Sequence, residues 1–380
     1  MSDLDRVLTR AVETEDVPFV VGMVANANGV TFSGAAGDSA PGRPAAQDTA
    51  FRIFSMTKGI GALAAMILID RGKMSMDTLV ADVLPTWNDM QVLDGFDGDT
   101  PILRAPKTQA TARHLATHTS GLEYEFWNAD MPKYMEVTGL PTILSGLKSS
   151  LMYPLTTDPG TRWGYGTGID WLGQMVEAVD GRRIDAFCRE EIFEPLGMAD
   201  TAFEPDALVG RMSDVSIRGE DGKFAPLALA PPPQPEFYGM GHALYSTAPD
   251  YLRFLRMVLD GGQLDGNRVL SPEAMQLMLA DQMRGLTFRP MQSVSPITAD
   301  VDLFPSKKVT HSFAFMRNEE AVEGKRSAGS MGWAGVCNTH YWIDPARDVA
   351  AVIMTQSLPF VEPPMLRIYD AFERAVYAGL

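Results

Sequence analysis

The run Phe54-Ser55-Met56-Thr57-Lys58 sets a hydroxyl and an amine three residues apart. It opens a stretch, Met56 to Arg71, that is apolar or small almost all the way round and closes at Gly72. That pattern predicts a buried helix with a glycine stop. Residues at i and i+3 share a helix face, so the Lys58 amine stands beside the Ser55 hydroxyl. Ser55 falls at the N-cap or first turn, where helix amides and the positive dipole end favour a developing alkoxide. A lysine on so apolar a helix has nowhere polar to go except toward the serine, where it can share or accept a proton. This supplies what a serine nucleophile lacks at neutral pH. Taken alone, Ser-x-x-Lys is also the spacing of a capping serine followed by an exposed lysine; the buried helix is what turns it toward chemistry.

Other candidate constellations are weaker. His114 and His118 have the i, i+4 spacing of a zinc pair, but no third ligand or adjacent glutamate accompanies them. A Gly-x-Ser-x-Gly elbow is missing, because Ala328-Gly329-Ser330-Met331-Gly332 lacks the first glycine, which argues against an α/β-hydrolase. The 2 cysteines, Cys188 and Cys337, read as packing residues, and the 23 methionines are scattered as core or cleft filler. No metal and no organic cofactor is called for.

The elements that must position Ser55 and Lys58 come from both ends of the chain. An amphipathic helix is predicted over residues 3 to 15, then a hairpin of Phe19 to Ala25 and Val30 to Ala35 around Asn26-Ala27-Asn28-Gly29. Near the other end, Val309 to Arg317, Thr339 to Ile343 and Val349 to Thr355 read as strands, with Asp344 to Asp348 as the last turn and a closing helix from Pro364 to Tyr377. The simplest assembly joins these into one antiparallel sheet flanked by helices. Helices near 59 to 71, 111 to 117, 168 to 179, 184 to 192, 248 to 260 and 272 to 280 read as an inserted, mostly helical lobe. The expectation is a single catalytic domain over 1–380, of α/β (α+β) type, with an α/β lobe of about 1–60 and 300–380 and a helical lobe of about 75–260. Pro231 to Pro235 reads as a stiff connector, and residues 284 to 308 as a loop placed to cover a cleft.

Composition limits the partners. The 380 residues are 46% hydrophobic and 21% charged, as in an ordinary globular protein, and no run has the length of a membrane span. With 48 acidic and 32 basic residues the net charge is −16, which repels phosphate backbones and anionic lipid. Neither nucleic acid nor membrane is an expected partner. The acidic, amphipathic N-terminus lacks the order of a secretory signal, so a cytoplasmic location is expected. Oligomeric state is not encoded legibly.

Several segments together resemble the serine β-lactamase and penicillin-binding-protein superfamily, most nearly the class C β-lactamase-like esterases called family VIII carboxylesterases. They are Phe51 to Lys58, Leu115-Ala116-Thr117-His118-Thr119-Ser120-Gly121-Leu122, Glu194 to Met198, Tyr245 to Tyr251 and Tyr341 to Pro345. In Trp163-Gly164-Tyr165-Gly166-Thr167, Tyr165 matches the tyrosine that acts with the lysine as general base, while Thr167 replaces the family asparagine. Gly332-Trp333-Ala334-Gly335-Val336 stands where penicillin-recognising members carry Lys-Thr-Gly on an edge strand. The resemblance implies Ser55, Lys58 and Tyr165 as catalytic residues and the Ser55 and Val336 amides as oxyanion hole. It further implies Tyr124, His242, Trp333 and Gly335 as substrate contacts, Gly335 letting substrate backbone approach the strand, while Asp170, five residues past Tyr165, reads as a carboxylate that faces the substrate or supports the residues that do, or equally as an acid at a helix N-terminus. An uncharged indole in place of the lysine points to a neutral small-molecule ester rather than an anionic β-lactam. The implied activity is hydrolysis of carboxylic esters with short to medium acyl chains through acyl-Ser55. An acyltransferase, a weak β-lactamase or D-peptidase, and a ligand receptor without turnover stand as alternatives.

Overall fold

The structure, a computed structural model, describes residues 2–229, 232 and 234–380. Pro231 and Pro233 of the expected stiff connector lie outside the described residues. The centre of the molecule is an eight-stranded antiparallel sheet. Its strands are β1 (Phe19–Asn26), β2 (Gly29–Ala40), β3 (Arg43–Pro44), β4 (Val309–His311), β5 (Met316–Asn318), β6 (Met331–Gly335), β7 (Thr339–Asp344) and β8 (Val349–Met354). They lie side by side in the order β4-β5-β6-β7-β8-β1-β2-β3. The N-terminal hairpin thus joins the C-terminal strands through β1 and β8, with Val21 opposite Met354 and Ala25 opposite Ala350.

Successive side chains of a strand point to opposite faces, and β1 and β8 are apolar at nearly every position, so both faces must be covered. Val20 and Val24 of β1, with Ala351 and Ile353 of β8, pack on α1 (Asp3–Glu13) and on Met365, Ile368 and Phe372 of the C-terminal helix Pro363–Ala378. Full burial of a side chain such as Phe372 contributes about 1.5–3 kcal/mol. The opposite face, from Phe19, Val21 and Met23 to Tyr341 and Val352, joins the main core with α2 (Thr57–Asp70), α3 (Gly168–Asp180) and α4 (Ala248–Leu259). Helix α2 is buried from Thr57 to Leu68, as its all-round apolar sequence requires, and Gly72 follows it at φ 67°.

Four elements depart from the sequence expectation. The stretch from 309 to 317 is two strands, because the Ser312 hydroxyl accepts from the Ala314 and Phe315 amides and closes a hairpin turn between them. A polar turn residue inside a strand-like run marks such a break. Residues 189–193 form a π-helical turn after a short helix, Ile184–Cys188, where one continuous helix was expected. The helix Asp130–Thr138 and the hairpin of Val92–Asp97 with Thr100–Arg104 carry too little apolar periodicity to be read beforehand. Among the described residues no helix is long and apolar enough to cross a membrane.

Candidate active site

Ser55 sits in a 3-10 turn, Phe54–Met56, that leads directly into α2, rather than at the α-helix N-cap. Phe54 has φ 43°, a left-handed conformation that a bulky residue adopts only when its surroundings impose it. The strain falls on the residue before the nucleophile. Lys58, in the first turn of α2, is buried, and three oxygens surround its Nζ. Nζ donates to Ser55 Oγ at 3.1 Å, to the Tyr124 hydroxyl at 3.1 Å and to the Gly241 carbonyl at 2.8 Å. Three acceptors satisfy all the donors of an ammonium. The sequence brought Lys58 to Ser55 correctly; the other two partners are far away in the chain.

Tyr165 approaches Lys58 through its ring, whose centroid is 4.9 Å from Nζ. Its hydroxyl instead accepts a hydrogen bond from Trp333 Nε1 at 3.0 Å. Trp333 is therefore more than an apolar wall, since its indole N–H fixes the Tyr165 phenol. Tyr124, expected as a substrate contact, is the phenol bonded directly to the lysine, and it also lines the cavity in front of Ser55. Burial first, then the nearby Asp170 carboxylate and Tyr165, hold Tyr124 well above the ordinary phenol range, so it stays protonated. Beneath this pair, His118 lies edge-on to Tyr165 with centroids 4.8 Å apart. Its proton affinity is pushed down by burial, by His311 and by Lys58, and it is neutral. His114 caps its own short helix, its Nδ1 accepting from the Thr111 amide. Among the described residues no group of three or more metal-ligating side chains converges.

Two expected substrate contacts are placed differently. Asp170, in the first turn of α3, is fully buried and does not line the cavity. Its Oδ1 accepts from the Gly241 amide at 2.9 Å, so it holds the loop whose carbonyl receives Lys58. Gly335 serves packing, since a Cβ there would stand 2.3 Å from both the Ile53 carbonyl oxygen and Thr339 Oγ1. Its missing side chain lets β6 close on the turn that carries Ser55. Strand β6 pairs with β5 only at Met331 and Gly332, which leaves Trp333 to Gly335 unpaired on that side. Val336, just past the last β6 pair, lines the cavity with Ser55, as do Trp333 and His242. Thr167 is buried at the N-cap of α3, and its hydroxyl finds no partner, so it does not reproduce an amide side chain reaching the lysine.

Ser55 opens into an apolar cavity of about 230 Å³. Beyond the residues around Ser55, its walls come from five further segments: Phe126 and Trp127, Ile143 and Leu144, Leu227 and Leu229, the 284–308 loop through Met291, Ile297, Val301 and Leu303, and Leu358 with Phe360. The loop is fastened by Val294 N to Phe126 O at 3.0 Å and by Ala299 N to Phe360 O at 2.9 Å. Among the described residues no lysine or arginine lines the cavity. Arg52 lies behind Phe54, its guanidinium carbon 4.7 Å from that ring. Cys337 also lines the cavity, but burial pushes its thiol up to about 12, which makes it inert.

A serine and a buried lysine at the head of a central helix, faced by two tyrosines and the free edge of an antiparallel sheet, fit a serine enzyme of the β-lactamase fold. The chain belongs to the beta-lactamase family, whose model, described as Beta-lactamase, matches residues 4–375. It is similar to ML-236A carboxylate methylbutanoyltransferase of Penicillium citrinum, with 28% identity over 100% of this chain and 94% of that protein. It is also similar to lovastatin esterase of Penicillium rubens, with 26% identity and 98% of each chain covered. Among solved structures, simvastatin synthase (LovD) of Aspergillus terreus, in its LovD6 mutant, superposes with a TM-score of 0.86 at 26% identity, over 99% of this chain and 94% of that one. Family members of this kind hydrolyse or transfer acyl groups.

Proposed function

We propose that the protein is a serine esterase that takes the acyl group of a neutral carboxylic ester onto Ser55 and passes it to water. The observation that carries this reading is Ser55 Oγ, 3.1 Å from Lys58 Nζ, opening into a cavity with apolar walls and no cationic lining. Ser55 attacks the ester carbonyl, Lys58 and Tyr165 move its proton to the departing alcohol, and the Ser55 and Val336 amides hold the oxyanion. Tyr124 and the Gly241 carbonyl keep Nζ in place through the cycle. An apolar cavity of about 150 Å³ holds a benzene-sized molecule. The larger cavity here fits acyl chains up to a medium length, roughly six to nine carbons.

A second reading, acyl transfer to an alcohol, is favoured by the similarity to a methylbutanoyltransferase. It uses the same acyl-serine. Both readings are tested by intact-mass measurement after a fluorophosphonate, with wild type expected to gain one adduct and Ser55→Ala none. Labelling that survives the substitution would remove Ser55 from the mechanism. Product partitioning from a p-nitrophenyl ester, with alcohols of increasing apolar size added, then separates hydrolase from transferase.

A further inference from the structure

We propose that His242, oriented by Asp170, is the base that takes the proton from the acceptor attacking acyl-Ser55. The inference rests on the acyl-Ser55 reading above and assigns its second half. In the acyl-enzyme the bond to be broken is the one to Ser55 Oγ, and Lys58 Nζ, 3.1 Å from that oxygen, is the group placed to protonate it as it leaves, so a different group must take the acceptor's proton. Tyr124 is a protonated phenol. Of the groups around the cavity, His242 is the histidine, and imidazole is the side chain whose proton affinity suits water chemistry near neutral pH.

Its setting is that of an oriented base. His242 is buried, and its Nδ1 stands 3.3 Å from Oδ1 of the fully buried Asp170. Nδ1 and Asp170 Oδ2 are both buried without a hydrogen-bond partner, and the carboxylate is the acceptor within reach of that ring nitrogen. A carboxylate facing Nδ1 fixes that nitrogen as the N–H and leaves Nε2 as the basic one. Nε2 enters no hydrogen bond among the described residues. The loop is shaped around this pair: a Cβ on Gly239 would fall 2.2 Å from the His242 ring, and one on Gly241 2.4 Å from Asp170 Oδ2. His242 lines the acyl cavity together with Ser55, and also a neighbouring pocket of about 30 Å³ bordered by Arg52 and Tyr245. That volume is enough to admit a water molecule.

The step balances as follows. The acceptor oxygen bonds to the acyl carbon while its proton passes to Nε2, and the bond between that carbon and Ser55 Oγ breaks. Lys58 gives Oγ a proton, and the imidazolium returns its own to the lysine amine through solvent. The net change is acyl-serine plus acceptor to acylated acceptor plus serine.

The test is pre-steady-state hydrolysis of p-nitrophenyl butyrate by wild type, His242→Gln and Asp170→Asn, with intact mass read during turnover and circular dichroism as a fold control. With His242→Gln, one equivalent of p-nitrophenol should still be released in a burst. The following steady rate should fall by about 10²-fold, the usual yield of a positioned base, and the butyryl-enzyme should accumulate. Asp170→Asn keeps an oxygen for the Gly241 amide and removes the charge behind His242. It should give the same split with a smaller fall, and it decides the matter if His242→Gln does not fold. Burst and steady rate falling together, or a steady rate unchanged in either folded variant, would overturn the assignment. A wild-type chain that never acylates at Ser55 removes the underlying reading instead, and the inference with it.

Discussion

Replacing Trp333 with phenylalanine tests whether the indole acts through Tyr165 or only as a wall of the acyl cavity. The Nε1 donor and the Tyr165 oxygen are 3.0 Å apart, and both side chains are buried. Removing the donor strands a buried phenol oxygen, which costs about 1–3 kcal/mol. At 1.4 kcal/mol per tenfold this corresponds to a fall of about 5- to 150-fold in kcat/KM. The loss should be the same for acetyl and hexanoyl p-nitrophenyl esters, because a disturbed proton carrier does not sense the acyl chain. The decisive measurement is the double-mutant cycle with Tyr165→Phe. Two groups that act through one hydrogen bond are strongly non-additive, so Trp333→Phe should have little further effect once the phenol is gone. Additive losses, or a loss that grows with chain length, would show that Trp333 serves only packing and would refute the proposed link to Tyr165.

Two other outcomes follow from the structure. Asp250, in the first turn of α4, is buried, and burial outweighs its bonds to the Asp200 amide and Thr201 hydroxyl, raising its pKa from 3.8 to about 6. An acid with a raised folded pKa gives stability that is fully present below pH 3.8 and lost as pH rises through 6. The rise corresponds to about 3 kcal/mol lost at neutral pH. Asp250→Asn should therefore raise the urea midpoint at pH 7.5 and leave it nearly unchanged at pH 4; a uniform shift at both pH values would contradict the burial argument. Val301→Trp fills the cavity from the 284–308 loop and should lower kcat/KM for octanoyl esters at least about tenfold while sparing acetyl esters. Equal loss on both substrates would place the acyl chain elsewhere.

How much of this was legible in the sequence depended on how local the determinant was. The pairing of Ser55 with Lys58 is fixed by one helical turn, and the sheet could be assembled because β1 and β8 carry nearly continuous apolar runs. The Lys58 bonds to Tyr124 and Gly241 span 66 and 183 residues, and only the packed fold brings them together. Asp170 and Gly335 were drawn into the substrate site by their nearness in sequence to Tyr165 and Trp333. Both in fact face inward, one to hold a loop and the other to admit Ile53. The cavity was the least legible feature, since five segments share its walls and none has a signature of its own beyond apolar side chains in irregular backbone.

On the proposed acyl-Ser55 mechanism the choice between hydrolysis and transfer is a competition for one acyl-serine, and its energetics can be bounded. Water is present at about 55 M, so an alcohol at about 1 mM wins half the acyl groups only if the site favours it by about 5 × 10⁴, or roughly 6.4 kcal/mol. At about 25 cal/mol per Å² of apolar surface, that preference requires roughly 260 Å² of additional burial. Methanol or ethanol has far too little surface to supply it, so small alcohols should divert little product even if the natural reaction is transfer. In the proposed reaction the acyl chain would fill the same apolar cavity, of about 230 Å³, on which a large acceptor would have to draw. An acceptor able to compete with water must therefore find part of its contact outside that cavity, over the outer face of the 284–308 loop or toward Arg52. Partitioning that responds to the apolar size of the added alcohol, with water still dominant for the smallest, is the behaviour this geometry supports for a transferase. Partitioning indifferent to size is that of an esterase.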